Sequence, residues 1–217
     1  MRRQDLSEKP LTLEAIAVAA LAILDAEGPD ALSFRRVGAA LGTSHTTIYR
    51  HCGSLDGLLD ICVDHLATEL PQLDPDLPWA ASTEARFVAL YDLLNAHPAL
   101  VALRRERPWL GPRVLERLVE PALQANRKAG LTPEQSVRAY RQMYLFTLGC
   151  SVFVDHTDTV RAARLVRTAI AGLDHADYPA LTSDVEVVVA GASDHAVFHQ
   201  GLRHLIDAAM AELPAPA

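Results

Sequence analysis

The stretch from Leu32 to Leu59, LSFRRVGAALGTSHTTIYRHCGSLDGLL, spells two short helices separated by a tight turn and then the start of a third. Ser33 is placed to accept a hydrogen bond from the free amides of a helix running from Phe34 to Leu41, with Phe34, Val37, Ala40 and Leu41 on its apolar side. Gly42 supplies the left-handed residue that ends it. Ser44 caps the next helix, His45 to His51, in which Ile48 faces inward while His45, Thr46, Thr47, Tyr49 and Arg50 have nothing obvious to pack against. Short polar side chains at the start of a second helix are what base edges and phosphates need in a major groove.

One helix upstream completes a three-helix setting. Thr12 caps it, Ile16, Ala20, Ile23 and Leu24 form its buried stripe, and it stops at Glu27 before Gly28-Pro29. With Leu41, Gly42, Thr43, Ser44, Thr47, Ile48, Tyr49, Arg50 and His51 in this order, the segment resembles the TetR family of bacterial transcriptional regulators. The resemblance implies an all-α fold, with an N-terminal three-helix helix-turn-helix DNA-binding domain and a larger helical domain for ligand binding and dimerisation. It also implies double-stranded operator DNA as a partner. The residues expected to meet that DNA are Arg35, Thr43, Ser44, His45, Thr46, Thr47, Tyr49, Arg50 and His51. Two positions depart from the family: Cys52 stands where an aromatic or valine usually packs, and Leu55 where a lysine usually touches a phosphate.

The chain has 217 residues, half of them apolar, which is enough for a small domain plus a larger one. Charges or prolines interrupt every apolar run before membrane-spanning length, and the start MRRQDLSEKP has no apolar signal core, so a cytoplasmic protein is expected. Cys52, Cys62 and Cys150 have no metal-type spacing and read as buried, reduced thiols. A net charge of −7 is not that of a nonspecific nucleic-acid binder. Residues 1 to 66 carry nine acidic residues against six basic ones, yet the basic six are placed: Arg2, Arg3 and Lys9 in an arm before the first helix, Arg35, Arg36 and Arg50 on or beside the helix-turn-helix. Sequence-specific contacts and dimerisation are therefore expected to supply most of the useful binding.

A linking helix, Asp56 to Leu70, is followed by Pro71, Pro75 and Pro78, which divide the chain into a DNA-binding domain over 1–70 and a second domain over 71–217. Proline and glycine punctuation there predicts helices over Ala80–Ala96, Pro98–Arg107, Pro112–Ala129 with a kink at Pro121, Pro133–His156, Thr159–Leu173 and Asp194–Leu213. The β-branched run Val185–Val189 has no partner strand and reads as a buried loop or short helix. Met143 to Phe153 is apolar nearly all round, and Val197, Phe198, Gly201, Leu202, Leu205, Ile206, Ala209 and Met210 make one wide stripe. Gly149 and Gly201 allow a second helix to come close, and the surplus apolar surface points to a homodimer through the helices near 133–156 and 194–213.

From Trp79 onward, through Arg107-Pro108, Phe146 to Cys150 and Gly201-Leu202, the chain resembles the tetracycline-repressor type of C-terminal domain. That resemblance implies a small-molecule effector in a cavity between helices. Where tetracycline repressors hold drug and magnesium through histidines and an asparagine, this chain has Pro71, Arg86 and Leu103, of which proline and leucine offer magnesium no donor. A different, largely hydrophobic effector is implied. The residues expected at its pocket are Phe87, Leu90, Tyr91, Leu94, Leu103, Trp109, Leu110, Leu115, Leu118, Tyr140, Met143, Tyr144 and Thr147, with Arg86, His97 and Arg107 at the edge. His195 and His199 stand one helical turn apart without a matching cysteine or carboxylate, so they read as exposed or interface residues, and no metal or cofactor is expected. No phosphate loop, nucleophile elbow or carboxylate pair offers a catalytic frame.

Overall fold

In a computed structural model of the chain, residues 11–104, 110–153, 159–191, 194 and 196–213 are described. Among the described residues the regular structure is helix, without a strand. The N-terminal helices are α1 (Leu13–Glu27), α2 (Phe34–Ala40), α3 (His45–Cys52) and α4 (Leu55–Leu66), the last extended by a tighter turn over Ala67–Glu69. Each begins on a hydroxyl cap. The amides of Ala15, Arg36, Thr47 and Gly57 donate to Thr12, Ser33, Ser44 and Ser54 at 3.0 to 3.2 Å. Each such cap stabilises its helix by about 0.5–2 kcal/mol. The apolar stripe of α1 lies against α4 and buries Ile16, Ala17, Ala20, Leu21, Ile23 and Leu24. On α2 the inward positions are Val37 and Gly38, with Phe34 and Leu41 half-buried; Ala40, expected inside, is exposed. Gly38 takes its place because a Cβ there would sit 2.9 Å from the Thr43 carbonyl, so the turn closes onto bare backbone.

The later helices are α5 (Trp79–Ala96), α6 (Pro98–Leu103), α7 (Pro112–Val114), α8 (Glu120–Ala129), α9 (Pro133–Phe153), α10 (Thr159–Ile170), α11 (Pro179–Ser183), α12 (Val185–Gly191) and α13 (Ala196–Met210). The kink expected at Pro121 takes the form of a π-helical turn over Leu115–Val119 just ahead of it, because proline has no amide to continue the ladder. Gly130, at φ 111°, ends α8 and lets the Leu131 amide donate back to the Asn126 carbonyl. Thr132 and Gln135 then exchange side-chain to backbone bonds at 2.8 and 3.3 Å, a capping box that opens α9 at Pro133. The run Val185–Val189 is helical, and α11 before it carries no periodic pattern long enough to be read beforehand.

Two compact units result: Met1–Glu69 with Ala99–Leu115, and Leu70–Pro98 with Glu116–Ala217. The 99–115 segment is grouped with the N-terminal helices, and the second unit resumes at Glu116. The segment buries Leu100, Val101 and Val114, and two polar contacts tie it to α4. Arg104, its side chain 3 % exposed, pairs with Asp60 at 2.6 Å, and the Arg113 amide donates to Asp64 Oδ1 at 2.6 Å.

The second unit is built from α5, α8, α9 and α13 packed on one another, with α10 and α12 paired beside them. Its core includes Phe87, Leu90, Tyr91, Leu94, Leu118, Tyr140, Met143, Tyr144, Phe198, Leu202 and Ile206. Tyr91 stacks on Phe198 with centroids 3.7 Å apart. Gly201 lies against the Phe146 ring of the same chain, where a Cβ would come within 2.2 Å, so its smallness serves packing inside the subunit; Gly149 has open space before it. The α9 run is not buried all round: Leu145 is 53 % exposed. The wide stripe of α13 divides likewise, with Phe198, Leu202, Ile206 and Ala209 buried and Val197 and Met210 exposed.

Candidate nucleic-acid interface and ligand cavity

Helix α3 exposes most of the residues expected to meet DNA. Ile48 is fully buried beneath it, while His45, Thr46, Tyr49, Arg50 and His51 are exposed and Thr47 is half-buried. Ser44 and Thr47 share more than the cap, because their hydroxyls also meet at 2.9 Å. Thr47 is thus held by its own helix start, and Thr43 lies half-buried in the turn before it. The Thr46 hydroxyl comes within 3.4 Å of His45 Nε2. Tyr49 stands 53 % exposed with its ring edge-on to Phe34 of α2.

The basic residues divide sharply. Arg36 is tied to Glu27 of α1 by two bonds, at 2.5 and 3.1 Å, which hold the Glu27 carboxyl below its usual range and raise the guanidinium further. Its charge is spent within the fold. Arg35 and Arg50 are exposed and have no partner among the described residues, so they remain available to phosphates. Leu55 is exposed and offers no such contact. The arm with Arg2, Arg3 and Lys9 lies outside the described residues.

Within the second unit a cavity of about 480 Å³ opens between α5 and α8. Trp79, Ser82 and Arg86 line it from α5, Pro121, Gln124, Ala125, Lys128 and Ala129 from α8 and its approach, and Leu73, Asp74, Pro75 and Leu77 from the connecting segment. The spacing 79, 82, 86 and 121, 124, 125, 128 is one face of each helix, a periodicity present in the sequence but less apolar than the stripe beside it. Trp79 is fixed there: its indole N–H donates to Asn126 Oδ1 at 2.9 Å, and Asn126 donates in turn to the Ser136 carbonyl at 3.0 Å. Lys128 Nζ donates to the Pro75 carbonyl at 3.1 Å.

Of the residues expected at a pocket, Arg86 lines this cavity. It is 8 % exposed, and burial lowers its pKa below the ordinary guanidinium value. Phe87, Leu90, Tyr91, Leu94, Leu118, Tyr140, Met143, Tyr144 and Thr147 are buried in the core of the same unit, and Thr147 gives its hydroxyl to the Met143 carbonyl at 2.8 Å. His97 is half-buried at the end of α5. Leu103, Leu110 and Leu115 are exposed and belong to the first unit. Arg107 and Trp109 lie outside the described residues, as does His195. Among the described residues no group of three metal-ligating side chains converges, and no helix is long and apolar enough to cross a membrane.

Comparison with known proteins agrees with both halves. Residues 70–212 match the tetracyclin repressor-like C-terminal domain, and residues 16–61 match the bacterial regulatory proteins of the tetR family. The HTH-type transcriptional repressor DrrR1 of Streptomyces coeruleorubidus is 35% identical over 153 residues, 69% of this chain and 56% of the repressor, so the match spans little more than half of that relative. An HTH-type transcriptional regulator of Saccharopolyspora erythraea is 30% identical over 94% of this chain and 86% of its own. Apo ActR from Streptomyces coelicolor superposes with a TM-score of 0.77 at 30% identity, over 94% of this chain and 98% of ActR. ActR in complex with actinorhodin gives 0.78 at 29% identity, over 96% and 99% of the two chains. With a capped reading helix on an all-α frame and both family domains present, the chain belongs to the tetR family of DNA-binding transcriptional regulators, which are not enzymes.

Proposed function

We propose that this chain is a dimeric repressor that leaves its operator when a small, largely hydrophobic effector enters the second unit. The observation that carries the reading is the cavity between α5 and α8, with Leu73, Pro75, Leu77, Trp79, Pro121 and Ala125 among its walls. Its size suits a small organic ligand. ActR, similar over nearly the whole chain, has been crystallised with actinorhodin, a precedent for an organic ligand on this frame.

Connectivity supports the coupling. Both helices that line the cavity run into the 99–115 segment, α5 by way of α6 and α8 by way of α7 and the π-helical turn. That segment holds Asp60 and Asp64 of α4 through Arg104 and Arg113. A ligand that changes the spacing of α5 and α8 therefore acts on helices joined by the chain to the segment that belongs with the reading unit. A preference of roughly 3 kcal/mol for the DNA-incompetent arrangement shifts occupancy by about a hundredfold.

The dimer rests on apolar faces that the subunit leaves open: Val137 and Leu145 on α9, Val197 and Met210 on α13. Two helices from each copy would close them as a four-helix interface. The reading is tested by selecting DNA from a random pool with the purified full-length chain. A two-fold symmetric site that survives competitor DNA is expected, and enrichment of no sequence would sink the proposal. Magnesium with tetracycline, added to that complex, is expected to leave it intact, because Pro71, Arg86 and Leu103 supply no magnesium ligand set. Release at low micromolar drug would overturn the reading of those positions.

A further inference from the structure

The cavity holds one charge that the chain does not neutralise. Arg86 lines it, is 8 % exposed, and makes no ion pair or hydrogen bond among the described residues. Other arginines of the same unit are matched to carboxylates: Arg138 with Glu212 at 2.6 Å, Arg167 with Glu186 at 2.7 Å, Arg203 with Glu84 at 3.0 Å. All three pairs lie on the surface, where pairing contributes little; the buried guanidinium, where it matters most, is left without one. Burial lowers its pKa, yet a guanidinium does not give up its proton in a protein. The charge therefore stays and needs an anion.

The rest of the lining describes that anion. Lys128 adds a second positive charge and Asp74 removes one, so the cavity carries a net single positive charge. Asp74 already accepts from the Asp76 amide at 2.9 Å, and its carboxylate lies on the connecting segment rather than on α5 with Arg86. A single carboxylate balances this site, and its two oxygens match the fork of a guanidinium. Trp79, its indole held by Asn126, lines the same cavity, with Pro121 and Ala125 on the other wall. Such a fixed flat surface receives an aromatic ring at little entropic cost.

We propose that this cavity binds a planar aromatic acid, its carboxylate paired with Arg86 and its ring system against Trp79. The assignment rests on the reading of the second unit as the effector-binding part and specifies the charge of the effector.

The test uses two probes of one shape, anthraquinone-2-carboxylate and its neutral carboxamide, titrated calorimetrically into the full-length chain. The acid is expected to bind tighter by roughly tenfold or more, the worth of a charge-assisted hydrogen bond in a partly dry site. Arg86→Met is expected to erase that preference and, by removing an unpaired buried charge, to raise the melting temperature. Arg86→Lys keeps the charge without the fork and is expected to keep the preference at lower affinity. Equal affinities, a preference that survives Arg86→Met, or binding of neither probe at millimolar concentration would overturn the assignment. Adding the acid to the complex with selected DNA separates the two readings. Acid-selective binding that leaves the DNA bound supports the site and refutes the coupling.

Discussion

The rings of Phe34 and Tyr49 meet edge to face, with centroids 5.7 Å apart and planes at 81°. Phe34 is the first residue of α2, and Tyr49 is the most exposed aromatic position on α3, so the supporting helix sets where the reading helix holds its phenol. An aromatic pair of this kind contributes about 0.5–1.5 kcal/mol beyond its buried area. Ring position and hydroxyl contact can be separated experimentally. Tyr49→Phe is expected to keep stability and lose roughly 1–3 kcal/mol of operator binding, whereas Tyr49→Ala loses both. Fluorescence anisotropy and thermal melts measure the two effects; full operator affinity in Tyr49→Phe would show that the hydroxyl does not touch DNA.

Arg35 and Arg36 are neighbours in sequence with opposite employment. Arg36 is held by Glu27 while Arg35 is unpartnered among the described residues. Arg35→Ala is expected to lower the slope of log affinity against log salt by about 1, as the loss of one phosphate contact does. Arg36→Ala is expected to leave the slope nearly unchanged. The Glu27 carboxylate, with its pKa lowered by Arg36, stabilises the fold above its ordinary pKa of 4.5 and loses that contribution as pH falls through the lowered value. A melt series below pH 4.5 should therefore be less steep in Arg36→Ala than in the parent chain.

Burial pushes the Cys62 thiol up to about 12, from an ordinary 9.0. The unfolded chain gives up that proton near 9.0 while the folded chain keeps it, so stability is expected to fall as pH rises from 9.0 towards 12. At pH 8 a disulfide reagent is expected to reach the half-buried Cys52 and Cys150 first, with Cys62 reacting only on unfolding. Equal labelling rates for all three thiols in folded protein would contradict this.

Charging the dimer face must avoid the core. Leu202 is fully buried, so Leu202→Glu is expected to unfold the subunit, at a cost above the roughly 2–5 kcal/mol of a cavity mutation. Leu145→Glu combined with Val197→Glu places charge on exposed positions of α9 and α13. That variant is expected to sediment as a helical monomer with weakened operator binding. A stable dimer would put the interface elsewhere.

The reading unit was largely legible before the fold was known, for a physical reason: hydroxyl caps, glycine stops and helical stripes are local. Thr12, Ser33 and Ser44 each meet an amide three residues away, and Ile48 is inward because its turn of helix leaves it nowhere else to go. The pocket was less legible. Phe87 and Tyr91 lie on the apolar stripe of α5 and Tyr140 and Met143 on that of α9, and such stripes pack as core before they line anything.

What the residues by themselves determined is the set of helices, where most of them begin and stop, the polar face of α3 and the membership of the family. Tertiary structure alone decided that the 99–115 segment returns to the reading unit, that Arg36 is spent on Glu27, that Gly201 packs against Phe146 of its own chain, and that Arg86 lines a cavity without pairing to a carboxylate. Helix periodicity and capping act over three or four residues and leave their mark in the order of the chain. Pairings such as Asp60 with Arg104 join residues far apart, follow no period, and exist only once the helices have packed.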